Sequence, residues 1–156
     1  MVRPEIPIFQ PKDPDYVERV RASFARQQIM SLIGAELAVV EPGYTEIHLP
    51  HRPEITQQHG FIHGGVVGTI ADSAAGYAAN TLTPADTSVL TVEYKINLIA
   101  PADGERLVAR GEVIKPGRTL IITRAEVFAI KNAQWTLCAL MQQTIMAMQG
   151  KAESAR

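Results

Sequence analysis

Among the 156 residues, 15 basic and 16 acidic side chains leave a net charge of -1. A balance so close to neutral excludes the basic face with which nucleic-acid proteins displace counterions, and it supplies no polybasic membrane anchor. Hydrophobic residues make up 46% of the chain, which excludes general disorder and, at this length, points to one domain with its own core.

Residues 1–12, with Pro4, Pro7 and Pro11, are expected to form an irregular arm without the apolar stretch of a secretory signal. Residues 13–149 are then a single domain, and 150–156 a frayed tail. Asp13-Pro14 supplies a helix cap and a first-turn proline. Tyr16, Val17, Val20 and Phe24 follow at helical spacing, predicting a first helix over about 14–30. Strands at 36–40 and 44–49 flank the turn Glu41-Pro42-Gly43, giving a hairpin.

From Ile55 to Ala85 the only formal charge is Asp72. Val66, Val67, Ile70, Ala71, Ala74, Ala75 and Ala78 recur at helical spacing there, predicting a buried helix over 64–80. Interior glycines cost about 1 kcal/mol each in a helix, so Gly64, Gly65, Gly68 and Gly76 signal something packed close to the backbone. Four strand-like stretches follow, over about 88–99, 105–114, 119–130 and 135–148, separated by turn sequences, and they read as an antiparallel meander. The first alternates Leu90, Val92, Tyr94, Ile96 and Leu98 with Thr91, Glu93, Lys95 and Asn97. The lone Cys138 lies in an apolar stretch and reads as a buried thiol. No apolar run is suited to span a bilayer, and a soluble, cytoplasmic protein is expected.

The chemistry concentrates in Gln57-Gln58-His59-Gly60-Phe61-Ile62-His63-Gly64-Gly65 and in Asp72. A helix that starts on Gly-Gly presents unpaired N–H groups at its positive end, able to polarise a carbonyl or hold an oxyanion, although a plain glycine-rich helix start has the same look. A carboxylate in so neutral a helix must be hydrogen-bonded, solvated in a cavity, or used. Gly64 and Asp72 are eight residues apart, about 12 Å along the axis, so one helix cannot bring both to one reacting centre. Two helices antiparallel across a twofold axis can, and a site shared between subunits follows. His59 and His63 have metal-pair spacing but lack the Glu of H-E-x-x-H and any nearby Cys, so no metal site is expected.

The string His63-Gly64-Gly65-Val66-Val67-Gly68-Thr69-Ile70-Ala71-Asp72, with Leu98-Ile99-Ala100-Pro101-Ala102 and Gly117-Arg118-Thr119, resembles hotdog-fold acyl-CoA thioesterases of the phenylacetate-pathway, PaaI-like type. The likeness covers about residues 32–148. It implies an α+β hotdog fold, a long central helix wrapped by an antiparallel sheet, here with an extra N-terminal helix. It also implies a homodimer with shared sites, paired again into a tetramer. By the same resemblance Asp72 is the catalytic carboxylate, general base or nucleophile, and the Gly64 N–H polarises the thioester carbonyl from the opposite subunit. Gln57 helps place the carbonyl or water, and Thr91 lies near the attacking water, with an ordinary strand threonine as the alternative. His63 is the motif histidine, structural or positioning. Gly65, Phe61, Gly117 and Arg118 contact the substrate or its CoA part, with a solvated turn arginine as the alternative for Arg118. The expected activity is hydrolysis of an acyl-CoA to a free acid and CoA, with no cofactor beyond the CoA of the substrate. A hydratase or dehydratase of acyl thioesters and a non-catalytic acyl-CoA-binding module are the competing readings.

Overall fold

The computed structural model describes residues 8–153. Two short helices, α1 (Tyr16–Ala25) and α2 (Gln28–Ile33), precede the hairpin β1 (Glu36–Glu41) and β2 (Tyr44–Pro50). A 3-10 turn over Pro53–Ile55 leads to the central helix α3 (Gly64–Asn80), followed by β3 (Ser88–Leu98), β4 (Arg106–Lys115), β5 (Leu120–Lys131) and β6 (Gln134–Met148). The strands form one antiparallel sheet in the order β1-β2-β4-β5-β6-β3.

The sheet wraps α3, whose Val67, Ile70, Ala71, Ala74, Ala75 and Ala78 are all at most 1% exposed. Alanines on this face permit a close approach, and Gly111 of β4 completes it: a Cβ there would stand 2.2 Å from the carbonyl carbon of Ala74. Thr45 Oγ1 of β2 donates to Ala74 O at 2.6 Å, fixing the helix along its own axis. At the far end Arg19 of α1 covers the helix terminus, donating to Asn80 O and Thr83 O at 3.3 and 3.0 Å. A cation on the last carbonyls suits the negative end of the helix dipole. Asp13 holds that arginine through Nε at 2.7 Å.

Three expectations are corrected. The helix expected over 14–30 is two helices, and it starts later: Asp13 Oδ1 accepts from Asp15 N at 3.0 Å, ahead of the first helical residue Tyr16. Arg26 and Gln27 close α1 with tight i→i-3 bonds, after which Gln27 is extended. An unbroken helix would continue the phase of Val20 and Phe24 onto Gln27, Gln28 and Ser31; the break buries Met30 and Ile33 instead.

The expected four-strand meander holds only for β4, β5 and β6. β3 pairs with β6 at the edge of the sheet, and β4 lies between β2 and β5. The segment Pro101–Gly104 is therefore a crossover, not a hairpin turn. Proline supplies no N–H at its start, and Ala102 O is spent on Ile62 N at 3.1 Å, bracing the loop ahead of α3.

Thirdly, β3 does not alternate throughout. Its register with β6 shifts between Thr91 and Glu93, leaving Val92 as a bulge. Thr91 pairs with the buried Ile145, whereas beyond the bulge Tyr94, Ile96 and Leu98 pair with Gln143, Met141 and Ala139. The extra residue puts Thr91 on the helix side together with Tyr94, Ile96 and Leu98, where plain alternation places it opposite them.

Of the terminal segments, residues 1–7 and 154–156 lie outside those described. Lys151 bridges to Thr87, and Glu153 accepts from Ser23 Oγ at 2.9 Å and pairs with Arg26. Among the described residues no helix is long and apolar enough to cross a membrane.

Candidate active site

The strip of α3 that carries Gly64, Gly68 and Asp72 lies against β3, which runs the opposite way. A Cβ on Gly64 would stand 2.7 Å from Leu98 Cδ1, and one on Gly68 would stand 3.9 Å from Tyr94 Oη. Eight residues along the helix, Thr91 Oγ1 donates to Asp72 Oδ1 at 2.6 Å. Glycine is used at the crowded end, where even a methyl group would push Leu98 aside.

Asp72 is half-buried, and its carboxylate is held from one side only. Gln143 Nε2 of β6 donates to the same Oδ1 at 2.7 Å, and lies 3.1 Å from Thr91 Oγ1 and 3.2 Å from Asp72 O. Among the described residues no donor reaches Oδ2. The carboxylate opens on a cavity of about 330 Å³ lined by Gln27, Ser73, Gly76, Tyr77, Leu90 and Thr91. A Cβ on Gly76 would meet nothing within 4 Å, so this part of the helix surface is bare. The Tyr77 hydroxyl at the cavity wall bonds to Ser23 Oγ at 3.1 Å, and burial pushes it up to about 12, keeping it a neutral donor or acceptor.

At the helix start the Gln57–His63 loop is a closed turn. Gln57 N donates to Phe61 O at 2.9 Å, Gly60 N to Gln57 O at 3.0 Å, and the His59 N–H to the Gln57 side-chain oxygen. Gly60, at φ +84°, takes a conformation that side chains rarely adopt. His63 is the helix cap: its Nδ1 accepts from Gly65 N at 2.9 Å, while its carbonyl takes the N–H groups of Val66 and Val67. That bond requires the ring proton on Nε2, and it leaves the Gly64 N–H without an acceptor among the described residues. Gly64, Gln57 and Phe61 line a second cavity of about 340 Å³ with Leu98, Pro101 and Cys138.

The residues singled out by sequence thus fall into separate groups. Asp72 and Thr91 meet directly; Gly64, Gln57 and Phe61 share the second cavity, with His63 and Gly65 engaged in the cap. The two cavities share no lining residue, so within one chain the free N–H and the free carboxylate oxygen are not brought together. Gly117 and Arg118 line a third cavity of about 230 Å³ with Phe9, Lys12, Pro84 and Gln149, beyond the opposite end of α3. Gly117 has its own local reason, since a Cβ there would stand 1.9 Å from Leu120 O.

Gln143 escaped the sequence reading. The signal was present: it lies between Met141 and Ile145 on the apolar side of β6, and a 2% exposed amide in such a row needs a partner. Gln27, which lines the Asp72 cavity, carries no comparable mark in the sequence.

Comparison with known proteins identifies the family and the fold. Residues 59–136 match the family model of the thioesterase superfamily. The crystal structure of a thioesterase family protein from Silicibacter pomeroyi is 46% identical, with a TM-score of 0.85 over 86% of this chain and 99% of that one. The PaaI protein of the Escherichia coli phenylacetic acid degradation operon is 17% identical and shares the fold, with a TM-score of 0.78 over 89% of this chain and 97% of its own. A 1,4-dihydroxy-2-naphthoyl-CoA hydrolase of Listeria monocytogenes is 29% identical over 91 residues, 58% of this chain and 74% of that protein. The chain belongs to the thioesterase superfamily, with a hotdog fold of the PaaI-like type.

Proposed function

We propose that the protein hydrolyses an acyl-CoA thioester to a free carboxylic acid and CoA. The observation that carries the reading is the one-sided hold on Asp72. Both donors converge on Oδ1 and none among the described residues reaches Oδ2, while Asp72 lines an open cavity, so Oδ2 is the oxygen free to accept a proton from water or to attack the carbonyl carbon. The Gly64 N–H, at the positive end of α3, is the donor available to the oxyanion that forms on the thioester oxygen. The thiolate of CoA is the leaving group, and water supplies the oxygen of the released acid.

Because one protomer separates these two groups, the reaction needs a second copy, and β3 is the surface that takes it. This edge strand exposes apolar side chains on both faces, with Leu90, Val92, Tyr94 and Leu98 between 49% and 58% accessible. An uncovered apolar edge invites another strand. A twofold pairing of β3 with β3 sets the two central helices antiparallel, so that Gly64 of one chain approaches Asp72 of the other. Exposed Leu120 of β5 and Trp135, Leu140 and Met146 of β6 support a second pairing into a tetramer. Gln57 and Phe61 beside Gly64 would hold the thioester end, and Gly117 and Arg118 the nucleotide end of CoA.

The test compares wild type with Asp72→Asn on acetyl-, hexanoyl-, palmitoyl- and benzoyl-CoA, following free thiol. Turnover by the wild type and a loss of at least about 100-fold in the variant are expected. Undiminished thiol release by Asp72→Asn would overturn the assignment.

A further inference from the structure

We infer that Gln143 is a positioning residue of the reaction, which selects Oδ2 of Asp72 as the oxygen that acts. The inference rests on the reading of Asp72 given above. Gln143 comes from β6, seventy-one positions from Asp72 in the chain, and its amide is 2% exposed. Its Nε2 reaches three acceptors, Asp72 Oδ1 at 2.7 Å, Thr91 Oγ1 at 3.1 Å and Asp72 O at 3.2 Å. Every one of them belongs to the carboxylate, to the hydroxyl that bonds it, or to the backbone that carries it.

The orientation of the amide follows from those partners. Turned the other way, the amide oxygen would face a carboxylate oxygen and a carbonyl, with no proton between them. With the nitrogen inward, Oε1 is buried and meets no donor among the described residues. An unsatisfied buried acceptor destabilises the fold, and Met141 and Ile145 on the same face show that apolar side chains fit this row. An amide is therefore kept there for what its nitrogen does. Together with the Thr91 hydroxyl it places two donors on Oδ1, which turns the carboxylate about its own axis and leaves Oδ2 directed at the cavity. Gln143 touches neither cavity, so it acts through Asp72 and not on the substrate.

The test uses two variants of the full-length protein, Gln143→Met, which keeps the volume and removes the donor, and Gln143→Glu, which keeps length and shape. Each is made alone, and Gln143→Met also in the Asp72→Asn background. The best acyl-CoA of the panel above serves as substrate. For Gln143→Met the inference expects kcat to fall roughly 10- to 100-fold with KM nearly unchanged, because a misdirected oxygen harms the reacting geometry and not binding. Gln143→Glu is expected to fall at least as far. In the Asp72→Asn background the same change is expected to cost nothing further, since there is no acting carboxylate left to direct.

A rise in KM at constant kcat, or losses that multiply in the double variant, would overturn the inference. So would loss of folding in both single variants, which would make Gln143 a tie between helix and sheet. Full activity of Gln143→Met beside an inactive Asp72→Asn would overturn the inference alone. Full activity of Asp72→Asn would remove the reading beneath it.

Discussion

Thr91 Oγ1 stands 2.6 Å from Asp72 Oδ1, and the two residues face each other only because Val92 is left unpaired in β3. The hydroxyl spends its proton on the oxygen that Gln143 also holds. A hydrogen bond to a charged group contributes about 1.5–3 kcal/mol. Thr91→Val, which keeps the branched shape, is expected to lower kcat roughly 10- to 100-fold, while Thr91→Ser retains most of the turnover. Steady-state kinetics of the two variants on one acyl-CoA check this.

The Gly64 N–H can be removed almost in isolation. Gly64 is the first residue of its helix, where proline is well tolerated, and His63 before it is extended at ψ 137°, as a residue preceding proline must be. Leu98→Ala makes room for the ring, since Leu98 Cδ1 is what a Cβ at this position meets. Gly64→Pro in the Leu98→Ala background is expected to keep its helix by circular dichroism and to lose roughly 100- to 1,000-fold in kcat relative to Leu98→Ala.

If each site takes Asp72 from one chain and Gly64 from the other, two inactive proteins complement each other. Equal amounts of Asp72→Asn and the Gly64→Pro, Leu98→Ala protein, co-expressed with different tags, give half heterodimers, each with one of its two sites intact. About a quarter of the activity of the wild type should therefore return, since the intact site takes Gly64 from the chain that keeps Leu98. No recovery in purified heterodimers would place each site within a single chain.

Stability has a separate acid-sensitive point at the far end of α3. The Arg19 guanidinium, helped by the Asp15 N–H, holds the Asp13 carboxyl below its ordinary value of 3.8. The stabilisation is therefore complete above that value and is lost as pH falls through the lower, folded-state one. Asp13→Asn is expected to cost at most about 1 kcal/mol at pH 7, a fall of about 2–4 °C in Tm. The difference from wild type should close as the pH is taken below about 4. Thermal unfolding at pH 7, 5 and 3 measures it.

Cys138 should be silent in a thiol-release assay. Burial pushes its thiol up to about 11, and its Sγ lies 3.2 Å from Val127 O. Thiolate is then scarce at pH 8, and although Cys138 lines the cavity beside Gly64 it is only 1% exposed. Ellman's reagent is expected to label the native protein far more slowly than the guanidinium-unfolded chain.

How much of this could be read from sequence differed from element to element. The bounds of α3 were legible because its start is marked by His63-Gly64-Gly65 and its whole length by the missing charge. Asp72 stood out for the same reason, as one carboxylate in a neutral stretch. The break at Gln27 was not legible, since the phase of Val20 and Phe24 continues onto Gln27, Gln28 and Ser31 and only packing against the core brings Met30 and Ile33 inward instead. Nor was the pairing of β3 with β6: short turn sequences favour neighbours, and only the bracing of Ile62 by Ala102 shows why the chain crosses instead. Gln143 was hidden by distance, because its partners arrive from α3 and β3 only after the sheet has closed around the helix.

The bulge at Val92 also bears on how such a protein can change. Strand side chains alternate, so the face on which a residue appears depends on parity, and one extra position between Thr91 and Tyr94 sets that parity for the active strand. Part of the proposed chemistry is therefore recorded as a count of residues. Exchanging side chains one at a time would pass over it. Loss of a single codon here would turn Thr91 away from Asp72 while the strand kept every pairing partner beyond it. Insertion or deletion in this edge strand is thus a route by which the Thr91–Asp72 bond can be lost with both side chains kept.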